Sequence, residues 1–181
     1  LYPHPRFFQW WGHNSGCISK PGNTYFYSMF RYQKAAIAHI PALVALRIEF
    51  LKEVTHTDTP PTDITDGLEQ YFRTHLPAGD YVNWLALDGD TIVATGGICF
   101  YSIPPNFLNS SGDRAYILNV YTLPAYRRRG ISKQIFGKLM QEAEQRGIKQ
   151  VSLHASPDGV ALYRQFGFVP KDNEMVWGKH V

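Results

Sequence analysis

A chain of 181 residues is the size of one ordinary domain with a sizeable hydrophobic core. Its 44% hydrophobic and 18% charged residues indicate a globular protein rather than a disordered one, and no apolar run is long enough to span a bilayer. The net charge of +3 is small, and two cysteines provide neither a disulfide framework nor a metal-ligand spacing. We therefore expect a cytoplasmic protein with no bound metal and neither nucleic acid nor membrane as a partner.

The N-terminal segment resembles the cleavable leader that expression vectors add to a protein. It matches such a leader at eight positions, which are His13, Ser15, Gly16, Asn23, Tyr25, Phe26, Ser28 and Met29. The upstream stretch RFFQWWG is not polyhistidine, which leaves a native aromatic-rich extension as the alternative. We expect a leader over residues 1–28 and a folded domain over residues 29–181. Without Arg6 and Lys20, 16 basic residues face 15 acidic ones and the net charge falls to +1.

The sequence of the first half of the domain predicts one strand, two helices and a hairpin. A short strand is expected over residues 30–35. A helix is expected over residues 41–54, because Pro41 suits a first helical turn and apolar residues recur after it at helical spacing. A second helix covers residues 63–76. Residues 81–101 contain two β-rich runs joined at Asp88-Gly89-Asp90, which is a strong hairpin signal.

The second half alternates strands and helices. The predicted elements, in order, are a polar loop over 102–113, a strand over 114–122, a helix over 130–146, a strand over 149–155, a short helix over 158–166 and a hairpin within 167–177. This mixed order of strands and helices predicts a single layered α/β domain rather than two domains.

Three arginines and a glycine directly precede the predicted helix of residues 130–146. The helix has one apolar face, formed by Ile131, Ile135, Leu139 and Ala143, so it should pack on a sheet and begin near Gly130. The first N–H groups of a helix have no internal partner and lie at the positive end of its dipole. Glycine admits a close ligand and arginines add positive charge. The segment therefore predicts a phosphate site, with a solvated basic turn as the alternative.

Two motifs in the second half resemble those of the GNAT superfamily of acyl-CoA-dependent N-acetyltransferases. Arg127 to Ser132 resembles the family's central motif of Arg or Gln, two residues, Gly, one residue and Gly or Ala, with Ser132 departing conservatively at the last position. GVALYRQFGF at 159–168 resembles the second, with Gly159 in place of its usual alanine. The resemblance implies an α/β fold with a mixed, mostly antiparallel central sheet, flanked by helices and splayed between the fourth and fifth strands.

The resemblance also implies how acetyl-CoA is bound. The strand backbone at Val120, Tyr121 and Thr122 is expected to pair with the pantetheine arm. The pyrophosphate is expected at the helix start, on residues Arg127, Arg128, Arg129, Gly130, Ile131 and Ser132. A backbone N–H near Thr122 is expected to stabilise charge on the thioester carbonyl oxygen. Ser156 stands where many relatives have an asparagine that contacts the cofactor, and its shorter side chain puts that contact in doubt.

The family reaction is direct attack of an amine on the thioester, which requires an acid and a base. Tyr163, in the second motif, is implied as the general acid that protonates the leaving thiolate. For the base, Glu49 on the first helix and His154 on the strand of 149–155 are both candidates, and the sequence does not choose between them.

The acceptor is the least defined part of the prediction. Tyr101, Asn106 and Asn119 are candidate lining residues, and a small-molecule amine or a peptide N-terminus is the expected acceptor. The protein is expected to be a monomer or a homodimer. A non-catalytic acyl-CoA-binding or sensing module on the same fold is the alternative function, since a fold does not determine activity.

Overall fold

The strands and helices follow one another along the chain in the order that the hydrophobic periodicity and the turn residues predict. The computed structural model describes residues 30–171 together with Met175 and Trp177. Its strands are β1 Arg31–Lys34, β2 Tyr81–Asp88, β3 Thr91–Ser102, β4 Asp113–Thr122 and β5 Val151–Leu153. Its helices are α1 Ile40–Thr55, α2 Ile64–Ala78, α3 Ile131–Gln145 and α4 Val160–Gln165, with 3-10 turns at Ile37–His39 and Pro124–Tyr126. None of the described helices is both long and apolar enough to cross a membrane.

The strands form one five-stranded sheet in the order β1-β2-β3-β4-β5. Strands β1 to β4 are antiparallel neighbours, whereas β4 and β5 are parallel. The mixed, mostly antiparallel sheet in a single α/β domain confirms the predicted fold class.

The fifth strand is shorter than the sequence predicts. It was expected over residues 149–155 and covers only Val151–Leu153, because it pairs with β4 only from Ala115 to Ile117. Beyond Ile117, β4 continues to Thr122 without β5 beside it, which is the expected splay between the fourth and fifth strands.

Two predictions concern the chain ends, which lie wholly or partly outside the described residues. The leader expected over residues 1–28 lies outside the described residues. The hairpin expected within residues 167–177 lies partly outside them, and its described residues form no strand.

The sheet has a separate hydrophobic core on each face. On one face, α3 packs its predicted apolar side against the strands, and Ile131, Ile135, Phe136 and Leu139 are almost fully buried. On the other face, α1 and α2 cover β2 and β3. Each of these helices therefore has one buried side, as their sequence periodicity predicts.

One charged residue on the buried side of α3 is itself buried, because it lies seven residues, or about two helical turns, after Ile135. Glu142 is 6% exposed, and its carboxylate accepts hydrogen bonds from Lys34 Nζ at 3.0 Å and from Trp84 Nε1 at 3.2 Å. These partners compensate the cost of burying the charge. Glu142 thus ties α3 to β1 and β2, which its position in the helix alone could not show.

Candidate functional site

Strand β4 contains a β-bulge two residues after the point at which β5 ends its pairing. Leu118 faces Gly97 and Tyr121 faces Thr95, so Asn119 and Val120 together stand opposite Gly96 alone. Asn119 has a φ of 58°, a left-handed conformation that asparagine tolerates better than most residues. The extra residue reverses the alternation of the strand. Val120 thus faces the α3 side, like Ile117, whereas Asn119 and Tyr121 face α1.

The bulged half of β4 leads directly to the start of α3. On its β5 side, the edge from Leu118 to Thr122 has no strand partner within the described part of the chain, because the pairing with β5 ends at Ile117. Thr122 Oγ1 and Ser132 Oγ are hydrogen-bonded at 2.9 Å, which joins the strand end to the first turn of α3. The expected pantetheine segment, Val120 to Thr122, and the expected phosphate segment are thereby continuous.

The start of α3 has the geometry of an anion site. Gly130 caps the helix with a φ of 78°, and a Cβ added there would meet no atom within 4 Å, so the space beside it is open. No described residue accepts a hydrogen bond from the backbone N–H groups of residues 128–133. Buried Ile131 anchors this turn in the core. Unpartnered N–H groups at an open helix start are well suited to bind phosphate oxygens.

The three arginines before α3 occupy different positions. Arg127 donates from Nη2 to the Glu53 carboxylate at 2.6 Å and from Nε to the Thr122 carbonyl at 3.0 Å, so it connects α1 to the end of β4. The hydrogen bond between Arg127 and Glu53 raises the pKa of Arg127 and lowers the pKa of Glu53. Arg129 donates to the Ala125 carbonyl at 3.1 Å, whereas Arg128 is exposed with a φ of 63°.

Tyr163 lies on α4 beside the aromatic part of the α3-side core. Its ring centroid is 5.1 Å from that of Phe136, and burial raises the pKa of its hydroxyl. Its ring also lies against the backbone of Gly159, where an added Cβ would come within 2.7 Å of it. An alanine at position 159 would therefore require the Tyr163 ring to shift. Ser156 is exposed, and its carbonyl accepts the Gly159 N–H at 2.9 Å.

The sequence matches the Acetyltransferase (GNAT) family over residues 45–168, which is 124 of its 181 residues. The chain belongs to the GNAT family. It is therefore an N-acetyltransferase by family, and the resemblance that the two motifs indicate is confirmed.

Individual relatives of this GNAT protein agree with the family match. The chain is 33% identical over 70 residues to the uncharacterized N-acetyltransferase ycf52 of Pyropia yezoensis, a match that covers 39% of this chain and 40% of that protein. It is also 33% identical to a predicted acetyltransferase of Clostridium acetobutylicum, whose crystal structure was solved with acetyl-CoA. The two structures superpose with a TM-score of 0.78, over 83% of this chain and 96% of the other.

A second solved structure has the same fold at lower sequence identity. The GCN5-related N-acetyltransferase of Ralstonia eutropha JMP134 is 25% identical, with a TM-score of 0.73, over 82% of this chain and 97% of the other. The two superpositions thus extend over 83% and 82% of this chain.

The two candidate bases lie in different surroundings in this GNAT protein. Glu49 is on the exposed side of α1 and forms an ion pair with Lys52 at 3.1 Å. His154 directly follows β5, and its Nδ1 is hydrogen-bonded to the hydroxyl of Tyr116 on β4. Tyr116 is paired with Cys99, which packs on the α1–α2 side of the sheet.

The candidate acceptor residues are not brought together. Asn119 lines a narrow cleft between β4 and α1, beside the bulge. Tyr101 pairs with Arg114 near the opposite end of β4. Asn106 is in the loop between β3 and β4, where its Oδ1 accepts from the N–H groups of Leu108 and Asn109.

The structure adds cleft residues that the sequence analysis of this GNAT protein missed. The cleft also contains Arg47 from α1, together with Asn83 and Thr95, which are buried and hydrogen-bonded to each other at 2.9 Å. Arg47 lies four residues after Leu43 and therefore shares the apolar face of the helix. A charged residue on such a face is unusual, and this signal in the sequence was overlooked. No group of three metal-ligating residues occurs among the described residues.

Proposed function

We propose that the protein transfers an acetyl group from acetyl-CoA to the primary amine of a small acceptor by direct attack in a ternary complex. The observation that carries the proposal is the edge of β4 from Leu118 to Thr122, which no described strand pairs and which runs into the open start of α3, where no described residue accepts from the first N–H groups. A strand edge offers hydrogen bonds to the amides of a pantetheine arm, and the helix start offers them to phosphates.

The residues proposed to hold acetyl-CoA differ in how well their positions suit cofactor binding. The backbone of Val120, Tyr121 and Thr122 is proposed for the pantetheine arm, and the N–H groups from Arg128 to Ser132 for the pyrophosphate. The side chain of Arg127 is already engaged by Glu53, so we propose that it acts by holding the turn in place. Ser156 remains a weaker candidate because its exposed side chain is short.

In the proposed reaction, the neutral amine nitrogen attacks the carbonyl carbon of the thioester. A C–N bond forms, the C–S bond breaks, and the sulfur takes the proton of the Tyr163 hydroxyl. A backbone N–H near Thr122 is proposed to stabilise the negative charge that develops on the carbonyl oxygen. A tyrosine hydroxyl is protonated at neutral pH and can therefore donate its proton, and burial raises the pKa of Tyr163 further.

The proton lost by the amine requires an acceptor, and we propose His154. Its hydrogen bond to Tyr116 connects it to strand β4, on the side of the sheet that carries the cleft. The ion pair of Glu49 with Lys52 on the exposed side of α1 gives that carboxylate less support for the same role.

Calorimetric titration with acetyl-CoA and with CoA tests the cofactor site, with Gly130→Asp as the variant. The aspartate adds negative charge and volume at the proposed phosphate site, and we expect at least about a tenfold weaker Kd for CoA. Gly147→Asp is the matched control, because Gly147 has a φ of 69° and open space at the other end of the same helix.

Two results would contradict the proposed cofactor site. One is a Gly130→Asp variant that binds CoA as tightly as the parent chain. The other is equal weakening in both variants, which would point to strain in the left-handed backbone rather than to lost phosphate contacts.

A further inference from the structure

The cleft beside the β4 bulge contains a positive charge that no acidic residue of the described chain neutralises. Arg47 is half-buried on α1, and its guanidinium lies 5.3 Å from the ring centroid of Phe50. None of the ion pairs among the described residues includes Arg47, although Arg73 and Arg127 each pair with a glutamate. Burial lowers the pKa of Arg47, which records the cost of desolvating a cation without an anion beside it.

The same cleft contains an unpartnered hydrogen-bond acceptor. Asn119 is 8% exposed, and its Oδ1 is buried without a hydrogen-bond partner among the described residues. Its Nδ2 donates to the Tyr81 hydroxyl at 3.4 Å, and Asn83 Nδ2 donates to the same hydroxyl at 3.0 Å. The amide is thus oriented by the buried groups behind it. A buried acceptor with no partner is costly in a native structure unless a ligand satisfies it.

The position of these two groups relates them to the proposed reaction. Asn119 is the first residue of the bulge and immediately precedes Val120, where the proposed pantetheine segment begins. An amine that donates a hydrogen bond to Asn119 Oδ1 therefore lies beside the segment of β4 that is proposed to pair with the pantetheine arm. Arg47 lines the same cleft from α1, and the cleft must widen to admit an acceptor, because as it stands it has no space for a water molecule.

We infer that the acceptor is a small amine that also carries a carboxylate, with the carboxylate bound by Arg47 and the amine oriented by Asn119. The inference rests on the proposed function and names the class of its acceptor. A planar guanidinium matches a carboxylate through two parallel hydrogen bonds, and the partial burial of Arg47 strengthens that interaction. A polycationic acceptor is disfavoured, because Arg47 repels a second positive charge in a partly desolvated cleft.

Paired acceptors provide the test. The standard amino acids are each compared with their own carboxamides in a thiol-release assay with acetyl-CoA, and spermidine and glucosamine 6-phosphate represent other charge classes. We expect the best substrate to be an amino acid whose kcat/KM falls at least about tenfold when the carboxylate becomes an amide.

Arg47→Met tests the residue. It retains the aliphatic stem and removes the charge, so it should raise the KM of the best amino acid at least about tenfold. It should leave the KM of the amide and the Kd of CoA within about twofold, and Arg47→Lys should restore part of the discrimination. Arg73→Met is the matched control, because it removes the same charge from an exposed, ion-paired site on α2 and should change neither constant.

The outcomes separate this inference from the proposed function. The acceptor class would be overturned by equal use of amino acids and their amides, or by a preference for spermidine or glucosamine 6-phosphate. It would also be overturned if a chain that binds acetyl-CoA acetylates no amino acid. Unchanged discrimination in Arg47→Met would overturn the role of Arg47. A chain that does not bind acetyl-CoA at all would instead refute the proposed function.

Discussion

Single side chains in this protein are used for purposes that residue type alone does not reveal. Tyr163 is the clearest example, because its ring packs on Phe136 and on the backbone of Gly159 while its hydroxyl is the proposed acid. Arg127 is a second example. The run of arginines predicts phosphate contacts, whereas the side chain of Arg127 is bound to Glu53 and to the Thr122 carbonyl.

Tyr163→Phe removes only the hydroxyl and keeps the aromatic packing. We expect kcat to fall about 100-fold, since a positioned general acid contributes on this scale, while the Kd of CoA stays within about twofold. Steady-state thiol release and calorimetry measure the two quantities. Tyr32→Phe, which removes a hydroxyl from edge strand β1, should leave both unchanged, and parent-level turnover in Tyr163→Phe would show that the acid is another group.

At the scale of elements, β4 determines how the site is arranged. The sequence predicts this strand within one residue of its bounds, but its bulge was missed. An asparagine in a β-rich run is compatible with a regular strand, and the bulge is defined only by the register with β3. The consequence is large, because every side chain after Asn119 faces the opposite side from the one that simple alternation predicts.

The pairing of Glu53 with Arg127 connects α1 to the end of β4 and makes a pH-dependent contribution to stability. The hydrogen bond from Arg127 holds the pKa of Glu53 below its ordinary value, so the stabilisation is complete above the unfolded pKa of about 4.3. It is lost as the pH falls through the lower folded-state pKa. Because both side chains are largely exposed, the contribution should be below about 1 kcal/mol.

Glu53→Gln tests this contribution by urea unfolding at several pH values. The parent should be more stable than the variant near pH 7, and the difference should vanish in acid once Glu53 is protonated in the parent. Glu144→Gln is the control, since Glu144 is exposed on α3 and in no ion pair among the described residues. A difference that persists unchanged at low pH would mean that the charge of Glu53 does not stabilise the fold.

At the scale of the whole molecule, the sheet separates two cores that differ in composition. The α3 face is closely packed and apolar, and it anchors the helix start proposed to bind phosphate. The α1–α2 face contains the polar groups of the proposed acceptor cleft among its apolar residues. Close packing of α3 on the sheet depends on Gly96, where an added Cβ would lie 2.5 Å from Ile135 Cγ2.

Two glycine-to-alanine substitutions distinguish packing from backbone effects. Gly96→Ala should destabilise the protein by about 1–3 kcal/mol, because the added methyl group overpacks the contact with α3. Gly67→Ala should instead stabilise it by about 0.5–1 kcal/mol, since Gly67 lies within α2 with open space at its Cβ position. Chemical denaturation measures both, and equal effects would contradict the close contact between Gly96 and α3.

The sequence by itself determined the type and order of the described helices and strands and the family, and it predicts the anion site proposed at Gly130. These features depend on local chemistry, namely hydrophobic periodicity, turn residues and the unpartnered N–H groups of a helix start, which neighbouring residues encode. Only the tertiary structure decided the bulge at Asn119, the early end of β5 and the placement of Arg47 and Asn119 in one cleft. Each of them results from contacts between segments far apart in the chain, such as α1 against β4, and no local pattern specifies those contacts.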